Sequence, residues 1–284
     1  MSEPLPPDSS GFSDNSPLGE NPNLLPKEVF DGTNSLRINP IGGLIESLRF
    51  DGIEILGSPR RGDGKITSTH FCVPMLGPDT RTIPERAAKL PQHGPARNET
   101  WQIINHDPQS GLITVKYELK HPSYPSGLVV VVDHRLKDGQ YLNKTIIENQ
   151  GAEEMPIVPG WHLYWNAHYV KGNYAHKGYD GLSLNGKNIS GKINPDSSFI
   201  DLSEKNTVSL PGMYEMELIQ TGFPQAVLWA GSDSQGGQDQ DYFCLEPIAG
   251  DLKTFGKPKS MLSPGKQKEL TFGIKLIKLL IANK

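Results

Sequence analysis

Residues 159–166, with the sequence PGWHLYWN, place one histidine among three large aromatic side chains and an amide. The imidazole of His162 can gain or lose a proton near neutral pH. Aromatic faces are flat apolar surfaces of the kind that sugar rings stack on, and tyrosine and tryptophan keep a polar group for hydroxyls. His162 is therefore a candidate acid–base residue and Trp161 a candidate binding residue. The alternative is a strand end with buried aromatic side chains and a structural histidine.

A second candidate stretch is residues 90–97, with the sequence LPQHGPAR. His93 precedes a glycine in a proline-rich loop, where its ring can be presented without crowding. The guanidinium of Arg97 offers five donors, which suits a ligand with several hydroxyls. The alternative is a turn histidine beside a surface arginine.

A third stretch is residues 242–247, with the sequence YFCLEP. The alternation of a strand puts Tyr242, Cys244 and Glu246 on one face. Partial burial there would raise the pKa of the Glu246 carboxyl toward a value useful for a general base. We expect Pro247 to end the pairing of this strand, because proline cannot donate to a ladder. The alternative is a surface glutamate on an edge strand.

The segments that carry these stretches have the patterns of strands. Apolar side chains alternate over residues 113–119, and residues 128–132 form a continuous β-branched run. Asp51 and Gly52 lie between two apolar runs, which is a strong hairpin signal. The 30 glycines and 24 prolines argue against long helices. The patterns predict an all-β chain, folded as a sandwich or a barrel. Further strands are predicted over residues 141–148, 226–230, 241–247 and 270–276.

The chain of 284 residues can form one large β domain. Residues 1–33 are rich in proline, serine, asparagine, aspartate and glycine, so they cannot bury enough apolar surface to offset their ordering entropy. We expect a flexible N-terminal arm over residues 1–33 and a single β-sandwich domain over residues 34–284.

Charge and motif content exclude several function classes. The 28 basic and 32 acidic residues give no long-range attraction to nucleic acid or an anionic membrane. There is no signal peptide and no apolar run of about 18 residues, so we expect a cytoplasmic protein. We expect Cys72 and Cys244 to be reduced buried thiols. No HxH, HExxH or glycine-rich phosphate motif is present, so neither a metal nor an organic cofactor is predicted.

Taken in order, the motifs resemble those of the aldose 1-epimerase (galactose mutarotase) superfamily, in particular its compact bacterial branch. The resemblance covers most of residues 35–276, and the order and spacing of the motifs make it specific. It implies a large antiparallel β-sandwich of the galactose mutarotase-like supersandwich type, with a sugar site on one concave face. The motifs are residues 40–43, 73–77, 90–97, 148–150, 159–166, 244–247 and 262–265.

The resemblance also implies roles for individual residues. His162 matches the general acid of the family and Glu246 its general base. His93 and Arg97 match positions that bind the substrate.

Two substrate-binding positions of the family are less clearly matched. The bacterial branch often has an arginine directly after the glycine of residues 73–77, where this chain has Pro78. Arg81, three residues further on, is the candidate replacement. For the aspartate that binds substrate in many relatives, the candidate is Asp180.

The implied reaction interconverts the α and β anomers of a free aldohexose through ring opening and reclosure, without a metal or cofactor. One alternative is a hexose-6-phosphate mutarotase, whose phosphate would meet Arg60, Arg61 or Lys65. Another is a non-catalytic sugar-binding module on the same sandwich. The expected partner is a small-molecule sugar, and the sequence leaves open whether the chain is a monomer or a homodimer.

Overall fold

The computed structural model describes residues 24–57, 68–77, 90–172, 174–193, 198–233 and 237–281. The four helical segments in these ranges are single 3-10 turns, at Ala96–Asn98, Ser190–Lys192, Leu252–Thr254 and Pro258–Ser260. Among the described residues no helix has the length and apolar character that crossing a membrane requires. The strands, in chain order, are β1 (Lys27–Asp31), β2 (Asn34–Asn39), β3 (Leu44–Phe50), β4 (Ile53–Leu56), β5 (His70–Cys72), β6 (Gln102–Asp107), β7 (Leu112–Leu119), β8 (Leu128–Lys137), β9 (Gln140–Asn149), β10 (Met155–Pro156), β11 (Gly160–His162), β12 (Tyr164–Asn166), β13 (His168–Lys171), β14 (Tyr174–Lys177), β15 (Ser183–Leu184), β16 (Lys187–Asn188), β17 (Ser198–Asp201), β18 (Lys205–Leu210), β19 (Tyr214–Thr221), β20 (Gln225–Trp229), β21 (Tyr242–Ile248), β22 (Met261–Leu262) and β23 (Gln267–Leu279).

Two large antiparallel sheets form the body of the molecule. The ten-stranded sheet has the order β1-β2-β3-β4-β12-β21-β11-β5, and β20 joins β21 to β17. The nine-stranded sheet has the order β16-β15-β18-β19-β23-β9-β8-β7-β6. Two further two-stranded sheets pair β10 with β22 and β13 with β14. The prediction of an all-β chain with a large antiparallel sandwich is confirmed.

Local sequence explains the strand pattern. Along β9 buried and partly exposed side chains alternate, as the period of two requires for a strand with one face on a core. The predicted hairpin at Asp51 and Gly52 joins β3 to β4, and both residues have positive φ. Two consecutive positive φ values suit the asparagine, aspartate and glycine residues that tight hairpin turns select.

The core lies between the two large sheets. Trp161 on β11 meets Phe272 on β23 with ring centroids 5.6 Å apart. Trp165 on β12 packs on Tyr214 of β19, whose hydroxyl donates a hydrogen bond to the carbonyl of Asn166. Because the two sheets share these buried contacts, side chains on the inner face of the ten-stranded sheet are committed to packing.

The N-terminal arm differs from the prediction at residues 27–31. These residues form β1, which pairs with β2 over five residue positions, and Val29 is fully buried. The side chain of Asp31 also accepts a hydrogen bond from the backbone of Gly139. The composition of the arm as a whole concealed a short strand that gains its pairing partner from β2. Residues 1–23 lie outside the described residues.

Candidate functional site

Strand β21 carries the predicted base and lies inside the ten-stranded sheet. It pairs with β20 on one side and with β11 and β12 on the other. Tyr242 and Cys244 lie on one face with Tyr164, and Phe243 packs in the main core. The predicted sharing of one face by Tyr242, Cys244 and Glu246 therefore agrees with the structure.

One expectation about the end of this strand is wrong, because pairing continues past Pro247 to Ile248. The expected burial of Glu246 is found, since its side chain is only 3% exposed, and the alternative of a surface glutamate does not apply. Pro247 lies opposite Ala226 on β20, and β11 pairs with β21 only at Gly160 and Ile248. The missing N–H of Pro247 therefore lies where β11 and β21 have only one paired position, so few backbone hydrogen bonds between the strands are lost.

The register of three strands brings His162 beside Glu246. Gly160 lies opposite Ile248 on β21 and Cys72 on β5, and His162 lies opposite His70. Continuing the antiparallel register by two residues puts His162 level with Glu246. The Nε2 atom of His162 lies 3.4 Å from Oε1 of Glu246, and the two side chains are 6% and 3% exposed. Residues 84 positions apart in the chain thus face each other directly.

Burial raises the pKa of the Glu246 carboxyl well above its usual range. A carboxylate removed from water is ionised only when a positive charge or hydrogen-bond donors stand beside it. His162, whose Nε2 lies 3.4 Å away, would supply such a charge when it carries a proton. The pair can hold one proton between two groups, which is the arrangement that acid–base chemistry on adjacent oxygens needs.

A second histidine, His70, also contacts His162, and no motif in the sequence had indicated it. Its ring stacks on His162 with centroids 5.0 Å apart, and its Nδ1 donates to the carbonyl of Ser68 at 2.7 Å. That hydrogen bond leaves Nε2 as an acceptor, and Nε2 has no hydrogen-bond partner in the described part of the chain. Burial lowers the pKa of His70 to about 4, so the ring is neutral.

His93 approaches the same imidazole from a turn. Its ring meets His162 edge-on with centroids 5.1 Å apart. His93 has a φ of 65°, and the next residue, Gly94, packs so closely on the carbonyl of Val73 that a Cβ atom would overlap it. Burial lowers the pKa of His93, and its Nδ1 has no partner within the described ranges.

Arg97 supplies the positive charge of the cluster. It lies in the 3-10 turn Ala96–Asn98, which Trp101 anchors through a 2.9 Å hydrogen bond from its Nε1 to the carbonyl of Ala96. The guanidinium charge lowers the pKa of His70 and of His93, behind the larger effect of burial. The Nε of Arg97 is buried without a hydrogen-bond partner among the described residues.

We call His70, His93, Arg97, His162 and Glu246 the site cluster. Three of its buried polar atoms, on His70, His93 and Arg97, have no hydrogen-bond partner in the described structure. Unsatisfied buried polar atoms are rare in folded proteins, and each calls for an explanation such as a ligand or an ordered water. A ligand that carries several hydroxyls would supply both donors and acceptors to them.

Aromatic rings flank the site cluster. Tyr164 stacks on His162 with centroids 4.5 Å apart and an angle of 11° between the ring planes. Trp229 on β20 meets His162 edge-on at 5.8 Å and is only partly buried. Trp229 is not marked as a site residue by any sequence pattern, because a tryptophan at the end of an apolar strand is usually a core residue.

The structure places two predicted binding residues away from the site cluster. Trp161 is fully buried in the core, and its Nε1 donates to the hydroxyl of Thr145 at 3.3 Å. It precedes His162 on β11, so its side chain takes the opposite face of the sheet. Asp180 is exposed, and its described electrostatic interaction is with Tyr179 rather than with the site cluster.

Four positively charged candidates, together with Pro78, cannot be placed. Arg81 and Pro78 lie outside the described residues, as do Arg60, Arg61 and Lys65.

One group of side chains has the composition of a metal-binding site. The ligand atoms of His162, Cys244 and Glu246 lie within 4.8 Å of one another, and all three residues are buried. This group has no local sequence motif, because its members come from two strands and share no HxH or HExxH spacing.

Comparisons with known proteins agree with this fold. The family model described as aldose 1-epimerase matches residues 32–188, which include His93, Arg97 and His162 but not Glu246. Comparison with curated proteins gives no match.

Solved structures share the fold at low sequence identity. A galactose mutarotase related enzyme from Lactobacillus acidophilus is 15% identical, with a TM-score of 0.72 over 89% of this chain and 98% of the other. The Slr1438 protein of Synechocystis is 19% identical, with a TM-score of 0.66 over 89% and 95%. A galactose mutarotase-like protein from Lactobacillus casei is 16% identical, with a TM-score of 0.65 over 88% and 99%.

The matched family model covers more than half of the 284 residues, and the sandwich has the same fold as these solved structures. The chain belongs to the aldose 1-epimerase family.

Proposed function

We propose that this protein is an aldose 1-epimerase, an isomerase that interconverts the α and β anomers of a free aldohexose. The observation that carries the proposal is the 3.4 Å approach of His162 Nε2 to Glu246 Oε1 on one buried face. The two oxygens that react in mutarotation, the anomeric hydroxyl and the ring oxygen, are bonded to the same carbon. Two catalytic atoms this close can each reach one of them.

The proposed reaction moves one proton at each end of the C1–O5 unit. The Glu246 carboxylate takes the proton of the anomeric hydroxyl as the C1–O5 bond breaks. His162, as imidazolium, gives its proton to O5, so the product is the open-chain aldehyde with a hydroxyl at C5. Rotation about C1–C2 presents the other face of the aldehyde, and the reverse proton transfers close the ring.

Burial serves this mechanism in two ways. It raises the pKa of Glu246, which makes the carboxylate a stronger base than one in water. It also strengthens the electrostatic interaction between the Glu246 carboxylate and a protonated His162 at 3.4 Å. In the proposed reactive form the proton is on His162 and the carboxylate of Glu246 is ionised.

The remaining members of the site cluster are the proposed contacts to the sugar hydroxyls. His70 Nε2 is an acceptor fixed by the hydrogen bond of its Nδ1 to Ser68. His93 and the guanidinium of Arg97 add polar atoms on the same side. Trp229, partly buried and edge-on to His162, is a candidate surface for the apolar face of the ring.

The test is anomer exchange followed by NMR, with glucose, galactose and glucose 6-phosphate as substrates. Wild-type protein should accelerate exchange of at least one of them. Glu246→Gln should lose about 10²–10⁴-fold of the catalysed rate, the usual contribution of one positioned proton-transfer group. The glutamine keeps the size of the side chain, so circular dichroism and the melting temperature should stay close to wild type.

Three outcomes distinguish the alternatives. Exchange at the wild-type rate in Glu246→Gln would remove this residue from the mechanism. Saturable sugar binding without accelerated exchange would identify a non-catalytic sugar-binding module. Faster exchange of the 6-phosphate than of free glucose would identify a hexose-phosphate mutarotase and would direct attention to Arg60, Arg61 and Lys65.

A further inference from the structure

Cys244 has no part in the proposed reaction, yet it completes a set of three metal-ligating side chains. It lies two residues before Glu246 on β21, so both side chains project from the same face. His162 joins them from β11, and the three ligand atoms lie within 4.8 Å of one another. All three residues are buried, unlike the exposed acidic groups that often come together by chance.

The donor set selects a class of cation. Imidazole nitrogen, thiolate sulfur and carboxylate oxygen are the three ligand types of zinc, and three protein ligands with a fourth position open are common around it. Thiolates disfavour hard cations such as magnesium and calcium, which prefer oxygen ligands.

The distances fit a tetrahedral ion after a small adjustment. Zinc bonds of about 2.0–2.3 Å place two ligand atoms about 3.3–3.6 Å apart. His162 Nε2 and Glu246 Oε1 already lie at 3.4 Å. Every other separation in the set is at most 4.8 Å, so the sulfur needs to close by about 1.5 Å at most. A change in the side-chain torsion of Cys244 or Glu246 can supply that movement.

We propose that His162, Cys244 and Glu246 bind one thiophilic divalent cation of the zinc class, and that this cation inhibits the protein. Binding uses the nitrogen of His162 and the carboxylate of Glu246 as ligands. The same atoms could then neither donate nor accept a proton at a sugar. The prediction of inhibition rests on the proposed function, whereas the prediction of cation binding does not.

The experiment uses Co²⁺ as a spectroscopic probe of the full-length protein, titrated without sugar. Thiolate ligation of Co²⁺ gives a charge-transfer band in the near ultraviolet, and tetrahedral geometry gives intense visible bands. Wild type should show both and saturate at one ion per chain, and Zn²⁺ should displace the signal.

The matched variants are Cys244→Ser and Cys72→Ser. Cys72 is also a buried thiol, and its pKa is raised first by burial and then by the nearby charge of Glu246, but it is not in the ligand set. Cys244→Ser should lose the charge-transfer band and weaken Co²⁺ binding at least about tenfold, the lower end of what altering even an outer partner of a metal ligand costs. Cys72→Ser should keep the band.

The proposal fails if wild type shows no charge-transfer band, if the band survives in Cys244→Ser, or if Cys72→Ser abolishes it. Glu246→Gln provides a second test if Cys244→Ser does not fold. It should keep the charge-transfer band but bind Co²⁺ at least about tenfold more weakly, and unchanged affinity would overturn the ligand set.

Inhibition is tested separately by measuring the rate of anomer exchange, which should fall on adding Zn²⁺ and recover with a chelator. Zn²⁺ that binds at the three residues without slowing exchange would overturn inhibition. If the wild type accelerates no exchange at all, the proposed function fails while the cobalt spectra still decide the metal site.

Discussion

The sandwich contains two clusters of buried polar side chains, which differ in how their hydrogen bonds are satisfied. The core network, defined as His134, Tyr141, Asn143 and Thr145, lies on β8 and β9 and is fully buried. Its members bond to one another: the Tyr141 hydroxyl lies 2.8 Å from His134 Nδ1, and Thr145 donates to the Asn143 side chain at 2.8 Å.

The site cluster is almost as deeply buried but leaves more polar atoms open. In the core network only Nε2 of His134 has no hydrogen-bond partner in the described structure, against one atom each on His70, His93 and Arg97. A polar group without a partner costs stability, and a structural network removes that cost internally. The open atoms of the site cluster are the ones that a bound molecule would satisfy.

Adjacent residues on β11 connect the two clusters. Trp161 donates to Thr145 of the core network, and His162 faces Glu246 in the site cluster. Burial alone therefore does not identify a binding site. Buried polar atoms without a hydrogen-bond partner do indicate one, because a structural network leaves few such atoms.

The largest expected effect is the dependence of the unfolding free energy on pH. Burial lowers the pKa of His134 to about 3 and that of His70 to about 4, from an ordinary value of 6.5. Below pH 6.5 the unfolded chain holds a proton on each ring that the folded chain does not. Unfolding free energy should therefore fall as the pH drops from 6.5 toward these values, by about 1.4 kcal/mol per pH unit for each histidine.

Urea unfolding of single variants isolates each contribution. His134→Asn and His70→Gln should each reduce the slope between pH 6 and 4.5 by about 1.4 kcal/mol per pH unit relative to wild type. Replacement of the exposed His106 is the matched control. Equal slopes in wild type and in both buried-histidine variants would contradict the lowered pKa values and the neutral state of the His134 and His70 rings.

Tyr141→Phe tests the core network alone. The change removes the hydroxyl that lies against His134 Nδ1 and accepts from Asn143. His134 Nδ1 and Asn143 Nδ2 then keep only their long 3.5 Å contact with each other, so unfolding free energy should fall by about 1–3 kcal/mol. Chemical denaturation measures the loss, and anomer exchange should stay within about twofold of wild type. A larger loss of exchange rate than of stability would show that the two clusters are coupled through Trp161.

His70→Phe tests the site cluster with the smallest expected effect. Phenylalanine keeps a ring to stack on His162 but removes the acceptor Nε2. The KM for the sugar should rise roughly 2- to 12-fold, the equivalent of one net hydrogen bond of about 0.5–1.5 kcal/mol, while kcat changes less. His70→Gln is the matched variant, because its amide reaches near the position of Nε2 and should restore KM. An unchanged KM in His70→Phe would remove His70 from the sugar contacts.

The sequence predicted those parts of the molecule that depend on local periodicity. The alternation in residues 113–119 and the turn at Asp51 and Gly52 led to an antiparallel all-β fold, because side-chain period and turn chemistry are local properties. The shared face of Cys244 and Glu246 also follows from alternation within one strand.

Residues that depend on pairing between distant strands were harder to predict. His70 enters the site cluster only because β5 pairs with β11, and β5 is three residues long with no alternation to read. The nearness of Trp161 to His162 made it a candidate binding residue, but alternation along β11 puts neighbouring side chains on opposite faces and Trp161 lies in the core. The pairing of β1 with β2 was hidden by the composition of residues 1–33, which averages a short strand with its polar surroundings.

The turn that carries His93 has a consequence for directed evolution. Gly94 lies against the carbonyl of Val73 with no room for even one added carbon atom, and its φ of 76° disfavours any other residue. A library that randomises positions 93 and 94 can therefore sample replacements of the imidazole, but position 94 has to remain glycine. Altered sugar preference is to be sought at position 93 and on the neighbouring strands, with codon 94 left untouched.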